Sequence, residues 1–440
     1  MKKHSICHKT PYLRPFWRAA ALMLAFLLGL TALPYRAAAE ASSQVSVGLY
    51  FVRNALESAN LQNVTGYGSG YQLGIYEADA SGDRKQFRAL AETGCTEISM
   101  LVDRTMYLSG NSYASTPSGG WQTTVGAYHL ELVYAYGDYA AAQQAASNYP
   151  GGFVAYSYGQ YYARFGSYAT YGEALADAGA YSDCAVTGES DYGITVVNTL
   201  TGAILFELDQ GAGTTLGVVP LGGTETRTWF KGYQYNGGFR YDRPEGGAMH
   251  VANIVPLEQY VAAVLSREFV PSWPDEALKA AACCIRTFAA TGGQHSTFDV
   301  CNDTCCQVYR GVYLGAQWEH LLELCRQTAG QRIYYNGAPI LATYHSSNGG
   351  ATASSAETWG VDYPYLQSVY DPFESTVETG TKNWSRSYSL AELTELARLW
   401  GADCGSITQV YVSSYSAHGL VTELTFVDSS GRTFIFTGDD

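Results

Sequence analysis

A carboxylate stands where a helix should be apolar. Pro256 suits the first position of a helix, and Leu257, Val261 and Val264 follow at helical spacing. One further turn of that stripe lands on Glu268, with Phe269 and Trp273 just beyond it and Pro271 to end the helix. A carboxyl group desolvated beside aromatic rings has a raised pKa, the property a general acid needs near neutral pH. The position equally suits a rim glutamate paired with Arg267 or Lys279. Asp275 and Glu276 begin the next helix, where acidic residues are ordinary.

A second constellation follows at His295, Cys301, Cys305 and Cys306. One imidazole and three thiols are ligand types that favour zinc. Adjacent cysteines rarely bind one metal unless the backbone turns sharply, so a disulfide or reduced thiols stay open on spacing alone. If all four bind, no position remains for a catalytic water, and the zinc is structural. Of the 10 cysteines, Cys7 falls in the leader; the odd remainder cannot all be disulfide-bonded. Cys283 and Cys284 are helical neighbours pointing about 100° apart, so at least one is a small core residue.

The elements that must position these groups read as mixed strand and helix. From Ser43 to Tyr107, alternating runs with Gly punctuation predict short strands, Ser46–Phe51 the clearest. Between Tyr128 and Val186, Val133–Ala146 and Phe165–Ala178 repeat a strand, a turn and an Ala-rich helix, which predicts a small βαββαβ layer. Further strands are expected at Gly193–Asn198, Ala203–Leu208, Gly237–Asp242 and Met249–Val255. Helices are expected at Asp275–Ala290, at Gln317–Ala329 before Gly330, and from the capping box Ser389–Glu392 to Gly401. Asn336-Gly337 predicts a hairpin between Gln331–Tyr335 and Ile340–Tyr344, and two strands flank Ser429–Gly431. The fold class is α+β, multidomain.

A chain of 440 residues calls for two or three domains. A net charge of −14 with only 15% charged residues speaks against a nucleic-acid partner. The 36 tyrosines offer apolar faces with hydroxyls, suited to sugar rings, although extracellular β-rich proteins share that surplus. Lys2, Lys3, Lys9, Arg14 and Arg18 precede an apolar run from Ala19 to Leu33, and Ala37–Ala39 offers small residues. That is a secretory signal peptide cleaved near Ala39, since about 15 apolar residues are short for a bilayer-spanning anchor.

The stretch from Leu257 to Phe288 resembles the signature of the stage II sporulation protein D and amidase-enhancer family. That signature reads roughly Leu-Glu-x-Tyr-Val-x-x-Val-x-x-x-Glu-Met-Pro, then Pro-x-Glu-Ala-Leu-Lys-Ala-Gln-Ala and Arg-Thr-Tyr. Phe269 replaces its Met, Ala281 its Gln and Phe288 its Tyr, while Glu268 matches its Glu. His295, Cys301 and Cys306 match a His, Cys and His-Cys pattern that binds zinc in some relatives, with Cys305 where His is usual. Gln307-Val-Tyr-Arg-Gly311 follows in register. Ala342–Gly350 resembles the second family motif, Tyr-x-Ser-x-x-Gly-Gly-x-Thr, continued by Thr352, Trp359-Gly360, Tyr363–Val369 and Asp371-Pro372. Its glycines permit close backbone approach, and Tyr344, Ser346 and Ser347 supply hydroxyls to sugars. A nucleophilic pair of His345 and Ser346 is rejected, because strand neighbours point to opposite faces.

The resemblance implies a lytic transglycosylase with Glu268 as acid and base, and with Tyr344, Ser346, Ser347 and Gln307 on the substrate. It would cleave the bond between N-acetylmuramic acid and N-acetylglucosamine in peptidoglycan strands lacking stem peptides. The alternative is a non-catalytic wall-binding enhancer of a partner amidase. A role in sporulation or in wall remodelling follows, outside the cytoplasm, with membrane anchoring only if the leader is retained. Tyr128–Leu132 and Tyr161–Tyr168 resemble a SPOR domain, which binds such stripped strands. The expected division is 1–39 signal peptide, 40–126 β-rich segment of unknown role, 127–187 SPOR-like domain, and 192–440 catalytic domain. Relatives continue past the last strands, so a shortened C-terminus at Thr437–Asp440 is also expected.

Overall fold

Strand Gln44–Tyr50 is buried along both faces, as a strand held inside a sheet must be. It pairs antiparallel with His250–Pro256 and parallel with Val300–Cys301. The computed structural model describes residues 44–437 apart from 79–83, 118, 224, 292, 294 and 378–382. The leader and its cleavage region therefore lie outside the described residues, as do positions 438–440. The chain divides into two compact units meeting in sequence at Ile333 and Tyr334.

The described residues of the first unit form two large sheets and a small three-stranded one, Met106–Ser109, Ser112–Ala114 and Thr123–Val125. Seven strands run in the order Val300–Cys301, Gln44–Tyr50, His250–Pro256, Gly238–Asp242, Thr215–Pro220, Tyr71–Glu77, Gln86–Thr93. Ten strands form the other large sheet, from Cys184–Thr187 at one edge to Tyr233–Tyr235 at the other. Both large sheets mix strands from before residue 127 with strands from beyond 192, so the boundaries drawn at 126 and 192 do not separate layers. The N-terminal β-rich segment is woven into the sheet beneath the signature. Sequence periodicity reports faces, not partners, and could not show this pairing.

The repeat folds as expected into a βαββαβ layer: Tyr128–Tyr136, helix Tyr139–Ala146, Phe153–Ser157, Gln160–Tyr168, helix Tyr171–Ala178 and Cys184–Thr187. Asp138 caps the first helix, and a Thr170–Glu173 capping box starts the second. Both cover one sheet face, enclosing Leu130, Leu132, Ala146, Phe165 and Ala174. The opposite face carries charge: buried Arg164 binds half-buried Glu131 at 2.7 Å and also buried Glu207. Phe153–Ser157 continues in parallel onto Ile204–Asp209, so the layer is an edge of the larger sheet.

Helices Leu257–Glu268, Asp275–Thr291 and Trp318–Gln327 pack against one another. Pro256 occupies the N-cap, one place earlier than expected. Among the described residues no helix is long and apolar enough to cross a membrane.

In the second unit, helix Leu390–Leu399 starts with the expected Ser389–Glu392 capping box. It packs near a three-stranded sheet, Ile407–Tyr415, Val421–Asp428 and Thr433–Thr437, around Ala397, Cys404, Ile407 and Phe426. The Asn336-Gly337 turn forms with both residues at positive φ, 49° and 81°. Its strands are only Tyr334–Tyr335 and Ala338–Pro339, and no strand forms over Ile340–Tyr344.

Candidate active site

Val261 and Val264 are fully buried, and their stripe carries Glu268 to the last position of the signature helix, half-buried. Its Oε1 accepts a hydrogen bond from the backbone N–H of Val308 at 2.7 Å. The alternative partners are engaged elsewhere: Lys279 pairs with Glu276 at 2.9 Å, and the Arg267 guanidinium lies 6.0 Å from the Tyr313 ring. Phe269 and Trp273 meet edge to face at 6.0 Å, with Trp273 48% exposed. One carboxyl oxygen is thus held by the backbone, and the Trp273 ring five residues on is open to solvent.

The donor loop is locked from below. Gln307 is 1% exposed, and its Oε1 accepts the Tyr260 hydroxyl at 2.7 Å. Tyr309 donates to Asn253 Oδ1 at 2.7 Å, and the amide of Asn253 donates to the carbonyls of Asn236 and Gly238. Tyr260 and Tyr309 stack obliquely at 5.3 Å. Gly311, at φ +66°, lies so close to the Gln234 carbonyl that a Cβ would collide at 2.1 Å. Gln307, expected on the substrate, is instead buried scaffold. Its amide has to satisfy Tyr260 inside the protein.

The other polar residues of the signature are also structural. Arg286 is fully buried; it makes a two-pronged bond to Glu258 at 2.9 and 2.6 Å and reaches the carbonyls of Gln331 and Cys325. Thr287 accepts the N–H of Ile333 at 2.9 Å. These contacts tie the signature helix to the two that follow it.

His295, Cys301, Cys305 and Cys306 converge, their ligand atoms all within 4.8 Å of one another. A sharp turn, with Cys306 N–H bonded to the Asp303 carbonyl at 2.9 Å, lets the adjacent cysteines face one point. Cys306 Sγ lies 3.4 Å from His295 Nε2, close to the ~3.5 Å edge of a tetrahedral zinc site. The pKa of the Cys301 thiol is lowered, first by the hydrogen bond from Cys306 and next by His295, while that of Cys306 is raised. A thiolate is the form that binds metal. Phe298 and Phe51 pack on the His295 ring at 4.5 and 5.8 Å. Gly48 makes room for Phe298, whose ring a Cβ there would meet at 2.5 Å. The residues present fit zinc, and the loop they anchor leads through Gln307 to the N–H that holds Glu268.

Tyr344, Ser346 and Ser347 belong to the second unit. Ser346 and Ser347 are exposed and Tyr344 is half-buried. Ser347 donates to Glu374, while Asn348 bonds Asp371 at 2.9 Å and draws its carboxyl below the usual range. Gly349 and Gly350 take φ values of 69° and 109° in this loop, as the motif's glycines require. Cys283 and Cys284 lie on the Asp275–Thr291 helix, both half-buried.

A buried polar network supporting a glutamate and a Cys/His loop defines a family-level signature. Residues 245–335 match the SpoIID family, described as stage II sporulation protein. An uncharacterized protein of Brachyspira hyodysenteriae is 34% identical over 176 residues, covering 38% of this chain and 46% of that one. The amidase enhancer of Bacillus subtilis is 34% identical over 142 residues, 32% of this chain and 19% of its own. Stage II sporulation protein D of the same organism is 30% identical over 136 residues, 27% and 40% respectively. The chain therefore carries a domain of the stage II sporulation protein D family, and its alignments span less than half the length of each of these relatives.

Proposed function

We propose that this protein acts on the bacterial cell wall as a lytic transglycosylase, cutting peptidoglycan strands that have lost their stem peptides. The observation that carries the proposal is Glu268, half-buried at the end of the signature's first helix with Oε1 held by Val308 N–H at 2.7 Å. Glu268 would protonate the oxygen linking N-acetylmuramic acid to N-acetylglucosamine as the C1–O bond breaks. Its carboxylate would then take the proton of the muramic 6-hydroxyl while that oxygen closes on C1. The product is a 1,6-anhydro end, and atoms balance without water. One carboxyl group suffices because the nucleophile is on the substrate, whereas an ordinary hydrolase needs two.

Four subsidiary proposals accompany this one. His295, Cys301, Cys305 and Cys306 would hold a structural zinc whose chemistry is to fix the loop rather than to react. The βαββαβ layer would be a SPOR-like module for stripped strands, and Tyr344, Ser346 and Ser347 would bind sugar hydroxyls. The protein would work outside the cytoplasm, at the cell wall.

The relative named amidase enhancer supports a second reading, in which the chain binds wall and stimulates a partner amidase. Mass spectrometry of amidase-stripped strands separates the two. Anhydro ends appearing with the purified protein alone support the enzyme. Their absence, with stimulation of an added amidase, supports the enhancer and overturns the first reading.

A further inference from the structure

The ten-stranded sheet carries a polar groove lined by residues outside the signature. Along Ser58–Asn63 the chain alternates: Ala59 and Leu61 are buried, while Asn60 is half-buried and Gln62 exposed on the other face. Gln62 lies opposite Glu97 on one neighbouring strand and opposite Trp229 on the other. The three form a row across one sheet face about 10 Å long, the length of a disaccharide. Trp229 is flanked in sequence by Thr228 and Phe230, both buried on the far side, so its half-exposed indole faces the groove.

Two turns wall the floor. At one side stands the hairpin tip at Asn111, tied down by the Asn60 amide to its carbonyl and by Ser58 Oγ to the Tyr113 carbonyl at 2.8 Å. At the other stands the turn Lys231-Gly232, with φ values of 47° and 85°. The cavity between them holds about 340 Å³.

The chemistry of this lining is narrow. An indole offers a flat apolar platform. Gln62 Nε2 donates to Glu97 Oε1 at 3.1 Å, which aligns an amide and a carboxylate side by side as acceptors for hydroxyl and N–H donors. One lysine beside one carboxylate gives no single-sign field, so a polyanion is not favoured. A ring with apolar faces and a rim of hydroxyl and acetamide groups matches all of these features.

We propose that this groove is a saccharide subsite for an N-acetylated glycan, with Trp229 as platform and Gln62 and Glu97 reading the rim. The choice of saccharide rests on the glycan reading above; the groove's geometry does not. The subsite would grip the strand at a point additional to Glu268 and so hold a long polymer between cuts.

Isothermal titration of the full chain with tetra-N-acetylchitotetraose tests this, using wild type, Trp229→Ala, Trp229→Tyr and Glu268→Gln. Trp229→Ala should weaken binding about tenfold, Trp229→Tyr should restore most of it, and Glu268→Gln should bind as wild type does. Gln62→Ala, a surface change, serves as a second probe if Trp229→Ala fails to fold, and should also weaken binding. Oligosaccharide affinity unmoved by Trp229→Ala or Gln62→Ala, or no binding at millimolar ligand, overturns the subsite. Tryptophan-dependent binding without any strand cleavage upholds the subsite and sinks only the transglycosylase.

Discussion

Replacing Glu268 in two ways separates its chemistry from its structural contact. Glutamine keeps a carbonyl oxygen where Oε1 now accepts the Val308 N–H, so the loop should stay in place. It cannot deliver a proton. Loss of general acid–base catalysis costs about 10²–10⁴ in rate, or roughly 3–5 kcal/mol of barrier. Alanine loses the same chemistry and also strands the Val308 N–H in a half-buried position, at about 1–3 kcal/mol. For a unit of this size that lowers the unfolding midpoint by roughly 2–8 °C. The expected pattern is therefore equal loss of anhydro-product formation in both variants, with near-native stability in Glu268→Gln only. Amide exchange at Val308 should quicken in Glu268→Ala and stay slow in Glu268→Gln. Turnover above a tenth of wild type in Glu268→Gln would refute the catalytic assignment. An unchanged melting curve and unchanged Val308 exchange in Glu268→Ala would refute the role of the contact.

Elemental analysis of protein purified without chelator should find one zinc per chain, lost in Cys301→Ser and kept in Cys283→Ser; metal-free wild type would count against the site. Tyr260→Phe removes the hydroxyl donated to Gln307 and should cost about 0.5–1.5 kcal/mol, lowering turnover more than it raises KM; native stability in that variant would contradict the locked loop. Deleting residues 44–50 removes the strand between His250–Pro256 and Val300–Cys301, so zinc content and solubility should both fall, and a zinc-replete soluble deletion would show the strand to be dispensable. Full-length protein should be retained on sacculi more strongly after amidase stripping. The substitution Tyr134→Ala, on an exposed ring of the βαββαβ layer, should reduce that retention, and equal retention before and after stripping would remove the SPOR reading's support.

What the sequence revealed depended on whether a signal was local. Capping boxes at Ser389, the βαββαβ order and the helix ending on Glu268 were legible because each follows from spacing within one short stretch. The His295 and Cys301–Cys306 cluster was legible as ligand chemistry, but its feasibility turned on the Asp303–Cys306 backbone turn, which spacing could not supply. Gln307 was misplaced onto the substrate because sequence gives a polar residue beside a site no depth. Only its bond to Tyr260, a residue on another element, shows that it supports the loop from inside. The role of residues 44–50 was illegible for the same reason at longer range: their partner strands lie about 200 and 250 positions away, and nothing in an alternating pattern names a partner.

Those non-local contacts make the site one mechanical object. Strand Gln44–Tyr50 holds Val300–Cys301 through its backbone, and Phe51 and Phe298 fix the His295 ring. The thiols of Cys301 and Cys306 pin the two ends of the turn, and from Cys306 the chain runs directly into Gln307 and Val308. Tyr260 on the signature helix grips Gln307, while Val308 grips Glu268 at the end of that same helix. Loop and helix are thus clamped at two points, one above the other, and a shift of the metal loop must move the carboxylate's partner. A zinc held by these four residues would touch no substrate and would still govern the proposed catalysis, because the loop it fixed supplies the hydrogen bond to Glu268. Activity and zinc occupancy should therefore fall together although no chemical step runs through the ion.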